Sequence, residues 1–373
     1  MTRWTRFQTV SLKPAVTAFV SAIVLAACGA PNAATSPTDT SSPTPAETSA
    51  SSTATAANGS PSASTSSKPS ASPKATASSA AELGLTGVLF FHSYSDYSAW
   101  DSNLYGLDLA SGELVWVNEH WKTMISPMNA HLNAAGDQMV FMGSAAGMAQ
   151  TDWDVFVSKW TGKVWGEPTN LTGPNDQRDE DPKFSPDGKR IAYKNNGVLA
   201  TMNADGSNKQ LLTLGAAESS IPFFTPDGRG IIFDREGSVM LRKSDGTESV
   251  LWAAGATKAY YAVGVDSERF LFTEVQTTHH DRTMWGFYDG RPAKPLFYAA
   301  TDCDNSDPYP YQDGSRFVFY VTGCPFIYKG GYNVAVADLM TKKSYDIDDI
   351  NPLTNTHQQD LGPSWSATAK VKP

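Results

Sequence analysis

The sequence predicts an all-β protein, a six-bladed β-propeller in which every blade is a sheet of four antiparallel strands. Three observations carry this prediction. A hairpin signature recurs at a spacing of roughly 40 residues, each clear copy is followed by a second pair of strand-like runs, and the last copy is only half complete. Since one such unit cannot bury both of its faces, the radial stacking of several units is the favoured arrangement.

The hairpin signature is clearest from Phe184 to Tyr193, where Ser-Pro-Asp-Gly separates two apolar runs. Proline presets the backbone for a turn and glycine tolerates a positive φ, so the segment is typical of a β-hairpin. The copy at 222–233 keeps both the turn and the distance between its flanking aromatic residues. Weaker copies lie at 132–141, 263–272 and 310–319, the last with its turn shifted by one residue, and a half-copy lies at 363–366.

The number of blades follows from the second strand of each hairpin. These strands are expected to begin near Val88, Met139, Arg190, Gly230, Arg269 and Arg316. The first blade has strands at 88–92, 104–109 and 114–117 but lacks an inner strand, which the half-copy at 363–366 supplies. The propeller is therefore expected to close by pairing its N- and C-terminal strands, which also hides two sheet edges.

Two segments carry a family resemblance. Residues 184–193, followed by 202–213 with their Asn-Ala-Asp-Gly-Ser turn, resemble a TolB-type propeller repeat. The resemblance implies a propeller over 83–373 and a role in docking to proteins of the bacterial envelope. Asp-Gly hairpins also occur in other all-β folds, which remain the alternative. No α/β domain is recognisable ahead of the blades, so only the general docking role is carried over.

The N-terminus combines basic residues, a short apolar stretch and a cysteine. Arg3, Arg6 and Lys13 precede an apolar stretch at 15–27, and Cys28 follows small residues. This pattern is similar to a bacterial lipoprotein export signal. The apolar stretch falls short of the about 20 residues that span a bilayer, which disfavours an uncleaved anchor. We therefore predict a signal peptide at 1–27, a lipid such as palmitate on Cys28, and an extracytoplasmic domain held at the membrane.

Residues 28–82 are dominated by Ser, Thr, Ala and Pro, with almost no side chains that a core could bury. Such composition is typical of a disordered tether. The formal net charge of the chain is −9, and loss of the leader makes it more negative. Nucleic-acid binding is therefore not expected, membrane contact is expected through the lipid alone, and a monomer is favoured.

Beyond Cys28 the only cysteines are Cys303 and Cys324, which flank the inner hairpin of the sixth blade. Two cysteines in an exported chain usually pair, so we predict a disulfide. Two buried thiols and a metal-binding pair are the alternatives. The sequence contains no Gly-x-Ser-x-Gly, no His-Glu-x-x-His and no phosphate-binding glycine loop, so no enzyme is predicted.

The inner strands of a propeller begin at one mouth of its central channel, so the residues that enter them are expected to converge there. These candidate binding residues are mostly acidic: Asp179, Glu180, Asp181, Glu218, Tyr260, Asp307, His357, Gln359 and Asp360. Carboxylates can hold a hard cation such as calcium, or bind a cationic or sugar ligand together with aromatic rings. A solvated mouth without a ligand is the alternative, and no cofactor is required.

The sequence thus predicts a lipid-anchored, non-catalytic module that docks an envelope protein or a cell-wall component. One alternative is a polysaccharide-active enzyme similar to oligogalacturonate lyases, for which His357 and Gln359 are the residues of interest. The neighbouring strand entries offer no further histidine. A sensor of a small ligand or cation is the other alternative.

Overall fold

The structure is a computed structural model that describes residues 82–147, 152–173, 175, 177–215, 217–276, 281–296, 303–323, 331–346 and 358–373. Within these ranges, 24 strands form six four-stranded antiparallel sheets, and Tyr97–Ala99 forms a 3-10 turn. The predicted fold class is confirmed. No helix in the described ranges is long and apolar enough to cross a bilayer.

The first three blades, listed from the channel outward, have the following strands. Blade 1 comprises β24 (Gln359–Ser366), β1 (Val88–Tyr94), β2 (Asn103–Asp108) and β3 (Glu113–Trp116); blade 2 comprises β4 (Met124–Leu132), β5 (Gln138–Ala145), β6 (Asp154–Lys159) and β7 (Thr169–Asn170); blade 3 comprises β8 (Asp179–Phe184), β9 (Arg190–Asn195), β10 (Val198–Asn203) and β11 (Gln210–Leu211).

The remaining blades have the same order. Blade 4 comprises β12 (Ser219–Phe224), β13 (Gly230–Arg235), β14 (Ser238–Lys243) and β15 (Glu248–Trp252); blade 5 comprises β16 (Lys258–Gly264), β17 (Arg269–Val275), β18 (Arg282–Phe287) and β19 (Lys294–Pro295); blade 6 comprises β20 (Asp304–Pro310), β21 (Phe317–Gly323), β22 (Asn333–Asp338) and β23 (Lys343–Asp346). Each innermost strand lies next to those of the two adjacent blades, which closes a ring around the channel.

The ring closes as predicted, through the two ends of the domain. Strand β24 pairs antiparallel with β1, with Ser366 opposite Val88 and Gln359 opposite Tyr94. The closing strand is longer than the predicted half-copy and pairs with β1 along its whole length. Its Trp365 packs on Tyr311 of blade 6 with ring centres 4.6 Å apart, so a neighbouring blade also holds the closing strand.

Apolar side chains fill the spaces between blades. Between blades 1 and 2, Phe90 contacts Trp165 edge to face at 5.9 Å, and Trp121 stacks on Phe141 at 5.0 Å. These rings belong to one buried cluster that also contains Phe156. Strands such as β8 and β22 are buried at every position, because both of their faces pack against adjacent blades, as expected for a propeller.

Every inner strand contains a β-bulge at the same depth, which the sequence analysis did not predict. In β8, Glu180 pairs with Lys194 and Lys183 with Ala192, so two residues face Tyr193 alone. The first bulge residue has a left-handed backbone, with φ between 47° and 61°, in all six blades: Asn129, Asp181, Ile221, Tyr261, Asp307 and Gly362. Opposite each bulge lies a buried aromatic residue: Phe141, Tyr193, Phe233, Phe272, Tyr320 and Phe91.

The bulges correct the alignment of the blades. In the sequence, the segments that enter the inner strands align Asp181 with Pro308 in blade 6 and with Asp360 in blade 1. The structure matches Asp181 with Asp307 and with Gly362 instead, because the bulge in each strand fixes the phase. In blade 6, the aromatic residue opposite the bulge is Tyr320, one residue beyond the end of the sequence copy.

Candidate functional site

The entry end of the channel, where the inner strands begin, contains the residues selected from the sequence. Asp179, Glu180 and Asp181 begin β8, and Glu218 directly precedes β12. The other described members lie on inner strands as well: Tyr260 on β16, Asp307 on β20, and Gln359 and Asp360 on β24. His357 lies outside the described residues.

Asp179 is 1% exposed and is held by amides. Its carboxylate accepts hydrogen bonds from Asn195 Nδ2 at 2.7 Å and from Asn175 Nδ2 at 3.2 Å. Burial raises the pKa of Asp179 although these amide donors oppose the shift. Its hydrogen-bond capacity is thus directed into blade 3 and not toward the channel opening.

Glu180 is the centre of an ion-pair network. Its carboxylate lies 2.6 Å from Arg178 Nη2 and 2.8 Å from Lys194 Nζ, and Lys194 also pairs with Glu218 at 3.2 Å. Burial acts to raise the pKa of Glu180, but the charges of Lys194 and Arg178 outweigh it and lower the pKa. Side-chain exposure is 7–8% for Lys194 and Glu180, but 47% for Arg178 and 40% for Glu218. The network therefore has a buried base and a solvent-facing rim.

Asp181 lies deeper, at the bulge of β8. Asn129 Nδ2, at the same position of blade 2, donates to Asp181 Oδ1 at 2.7 Å. Burial raises the pKa of Asp181 although Lys194 and Lys183 oppose it. Nearby, Asp234 has a pKa raised well above its ordinary value, chiefly by burial. Its Oδ1 is buried and has no hydrogen-bond partner among the described residues.

The remaining predicted residues lie on blades 5, 6 and 1. Asp307 is 2% exposed, and its backbone N–H donates to Thr273 Oγ1 at 3.0 Å. The Tyr260 hydroxyl donates to Asp281 at 3.5 Å, and the Asp360 backbone N–H donates to Tyr332 O at 2.8 Å. Lys194 thus brings Glu180 and Glu218 together by two ion pairs, and its charge also acts on Asp181. Tyr260, Asp307 and Asp360 make their hydrogen bonds elsewhere.

A metal site was one possibility raised by the acidic sequence. Over the described ranges, no group of three or more His, Cys, Asp or Glu side chains is arranged to hold a metal ion. The carboxylates of Asp179, Glu180 and Asp181 are instead bonded to amides, a guanidinium and an ammonium. Calcium binding at the channel mouth stays a prediction.

The entry face also has an aromatic shelf that the sequence analysis missed, formed by Tyr97, Trp100, Trp153 and Arg178. Trp100 stacks on Trp153 with ring centres 4.3 Å apart and planes 20° apart, and Tyr97 lies 6.1 Å from Trp153. Tyr97 remains 39% exposed, and the Arg178 guanidinium lies beside its hydroxyl. The Trp153 carbonyl accepts from the backbone N–H of Asp179, which joins the shelf to the acidic network. The aromatic-rich stretch at 94–100 was the available signal.

Past the bulges, side chains from different blades meet inside the channel. His131 of blade 2 contacts Phe223 of blade 4 at 6.0 Å and Tyr309 of blade 6 at 6.3 Å, in both cases edge to face. Lys183 Nζ lies 5.0 Å from the centre of the Phe223 ring and 3.5 Å from Asn129 O. The residues that approach across the axis are thus aromatic or cationic.

The opposite end of the channel opens among the hairpin turns as a hollow of about 370 Å³, here called the turn-end funnel. Each blade contributes turn residues to its lining, among them Ala134, Pro186, Pro226, Val265, Gln312 and Ala367. His131, Phe223 and Tyr309 line it more deeply. The two ends of the channel therefore differ, since one has a charged network and the other an uncharged, aromatic lining.

Comparison with known proteins identifies the fold class. No protein-family model and no curated protein sequence matches the chain. Among solved structures, TolB from Acinetobacter baumannii superposes with a TM-score of 0.57 at 13% identity, covering 75% of this chain and 66%, slightly under two thirds, of that one. A TolB-type protein from Agrobacterium tumefaciens gives 0.51 at 14% identity, over 76% and 91% of the two chains. The chain is therefore a six-bladed propeller of TolB-like fold.

An oligogalacturonate lyase in complex with manganese is a more distant match. Its TM-score is 0.41 at 16% identity, over 70% of this chain and 73% of that one. At this distance the similarity carries no argument about activity.

Four predictions fall partly or wholly on residues that the structure does not describe. The signal peptide at 1–27, the lipidated Cys28 and the tether up to residue 81 lie outside the described residues. Cys303 is buried at 6% exposure, but its predicted partner Cys324 lies outside them as well. Lipidation and the disulfide therefore stay predictions.

Proposed function

We propose that the chain is a non-catalytic binding module whose entry face docks a protein of the bacterial envelope, with a lipid on Cys28 holding the propeller at the membrane. The observation that carries this proposal is the aromatic shelf on the entry face. Tyr97 stands beside the half-exposed Arg178, and Trp100 stacks on the neighbouring Trp153. Tyrosine, tryptophan and arginine are the residues that contribute most to protein interfaces.

The side chains of the shelf and of the ion-pair network beside it are already held in place by contacts within the protein, which supports docking. Glu180 is held by Arg178 and Lys194, and Trp100 by its stacking on Trp153. A surface ordered before binding loses little side-chain entropy when a partner arrives. The TolB-like fold also supports a docking role.

The test compares two exposed aromatic residues. Tyr97→Ala removes part of the shelf, whereas Trp116→Ala removes a ring that is 44% exposed on the outer strand β3. Each variant is used to capture cross-linked proteins from envelope extracts, and the captured protein is then purified and titrated. Tyr97→Ala should weaken binding tenfold or more, and Trp116→Ala should not. Equal loss in both variants would contradict docking at the entry face.

A cell-wall component is the other occupant considered for the same face. Co-sedimentation of the propeller with purified cell-wall material, abolished by Tyr97→Ala, would assign the face to a glycan instead of a protein. The enzyme alternative is examined separately, by metal analysis of the purified chain and by incubation with uronate oligomers. Release of unsaturated products would contradict a non-catalytic module.

A further inference from the structure

The turn-end funnel has an uncharged wall although it is built from acidic turns. Among the described residues that line it there is no Asp, Glu, Lys or Arg. The turn aspartates are bonded within their own turns: Asp187 accepts from Ser185 Oγ at 2.6 Å, and Asp227 accepts from Thr225 Oγ1 at 2.6 Å. The wall therefore consists of aromatic, proline and valine side chains together with uncharged polar ones such as Asn133, Gln312 and Thr368. Its apolar part favours the hydrocarbon part of a ligand.

His131 supplies a hydrogen-bond donor deep in the funnel. Burial, together with the charge of Lys183, lowers the pKa of His131 to about 3, so the imidazole is neutral at physiological pH. Its Nδ1 accepts from the Phe184 backbone N–H at 3.1 Å, which places the proton on Nε2. No residue of the described chain accepts a hydrogen bond from Nε2. This N–H is thus available to an oxygen of a ligand.

A positive charge, that of Lys183, acts at the funnel floor. Lys183 is 2% exposed, and burial lowers its pKa to about 8 while Asp181 opposes the shift, so it is protonated at pH 7. Lys183 does not line the funnel, but its charge acts on His131, as the lowered pKa of that imidazole shows. A negatively charged oxygen at the floor is attracted by this charge, whereas a cation is repelled.

We propose that the turn-end funnel is a second binding site, which takes a small aliphatic or aromatic carboxylate. The hydrocarbon part lies against Phe223, Phe224 and Val263, and the carboxylate accepts the Nε2–H of His131. The volume of about 370 Å³ is at the small end of the range for ligand pockets, which favours a short chain. The site lies at the other end of the channel from the docking face and does not depend on the function proposed there.

The first test uses three probes of equal length and different head groups: octanoate, octanol and octylammonium. Calorimetric titration of the full chain at pH 7 should show octanoate binding at least tenfold more tightly than octanol, with no detectable binding of octylammonium. Equal affinities for octanoate and octanol, tighter binding of octylammonium, or no binding of any probe would each overturn the proposal.

The second test uses variants that distinguish the contribution of the His131 N–H donor from that of the apolar funnel lining. His131→Phe keeps a flat ring and removes the N–H, so octanol should still bind while the preference for octanoate disappears. His131→Gln restores an N–H donor and should restore part of that preference. Trp116→Ala, far out on β3, is the matched control and should bind octanoate like the parent.

The comparison remains possible if one variant does not fold. If His131→Phe fails to fold by circular dichroism, Lys183→Met and His131→Gln provide the comparison, and Lys183→Met should also lose the preference for octanoate. Unchanged octanoate binding in a folded His131→Phe or Lys183→Met variant would show that these residues do not recognise the carboxylate.

Discussion

Asn129 and Asp181 occupy the same bulge position in neighbouring blades, and the amide of Asn129 donates to the carboxylate of Asp181 at 2.7 Å. The two inner strands are thereby joined by side chains at the depth where both backbones turn left-handed. Gly362 holds the equivalent position in the closing blade and packs against Asn129 and His92. The bulge ring is therefore where blades 1, 2 and 3 are fitted together.

Gly362→Ala should destabilise the propeller at this junction. A left-handed backbone costs a residue with a Cβ about 1–2 kcal/mol, and the added Cβ would lie 2.9 Å from Asn129 Oδ1 and from the His92 ring. Thermal unfolding should show a fall of several degrees in Tm. Gly290→Ala is the control, since Gly290 also has a positive φ but has no atom within 4 Å of the added Cβ. An equal fall in both variants would show that the packing at Gly362 contributes nothing.

Lys194→Met should be strongly destabilising because it leaves Glu180 buried with only the rim residue Arg178 as its cationic partner. Removal of one member of a buried ion pair typically costs about 3–5 kcal/mol. Urea unfolding at pH 7 measures the loss, and a second change, Glu180→Leu, should recover part of it. Lys372→Met breaks an exposed pair with Glu113 and should change stability little. Similar losses in both single variants would contradict the buried role of Lys194.

Asp234→Asn should stabilise the protein at pH 7. The pKa of Asp234 is raised in the folded state, so the native state binds more protons than the unfolded state above pH 4, and stability falls as pH rises. Removal of the buried charge should add about 1–3 kcal/mol at pH 7 and flatten the slope between pH 4 and 7. Urea unfolding over that range measures both effects.

Asp205→Asn is the control for this pH dependence. Hydrogen bonds from Ser207 lower the pKa of Asp205, so its stabilisation is present above the unfolded-state pKa and is lost as pH falls. The substitution should therefore have the opposite sign at pH 7. A loss of stability in Asp234→Asn at pH 7 would show that its carboxylate is well compensated in the fold.

Cys28→Ser should release the protein from the membrane. If Cys28 carries the lipid, the native chain incorporates labelled palmitate and sediments with membranes, whereas the variant does neither. Cys303→Ser is the control and should keep both properties. Label retained in Cys28→Ser would contradict the lipoprotein prediction.

Cys303 and Cys324 should resist alkylation until the unfolded chain is reduced. Mass spectrometry after iodoacetamide treatment in denaturant should show two further alkylations only after reduction. Alkylation of both without a reductant would support the thiol alternative.

The sequence alone determined the architecture. The recurring hairpin signature and its period predicted the blades, and the half-copy that ends at Ser366 predicted the closing strand, because turn chemistry and strand alternation are local properties of the chain. The predicted second strands near Met139, Arg190 and Gly230 lie within a residue of those in the structure. The existence of an acidic channel entrance could also be predicted, since each inner strand must start there.

Only the tertiary structure decided what those residues do. Whether Glu180 is available to a ligand depends on Lys194 and Glu218, and the donor at the funnel floor depends on Phe184 and on a lysine buried beside another blade. The bulges shift the phase of two blades by one or two residues, which no turn motif reveals. Contacts across a closed ring join residues far apart in the chain, so their charge and hydrogen bonding are set by the assembled propeller and not by any one repeat.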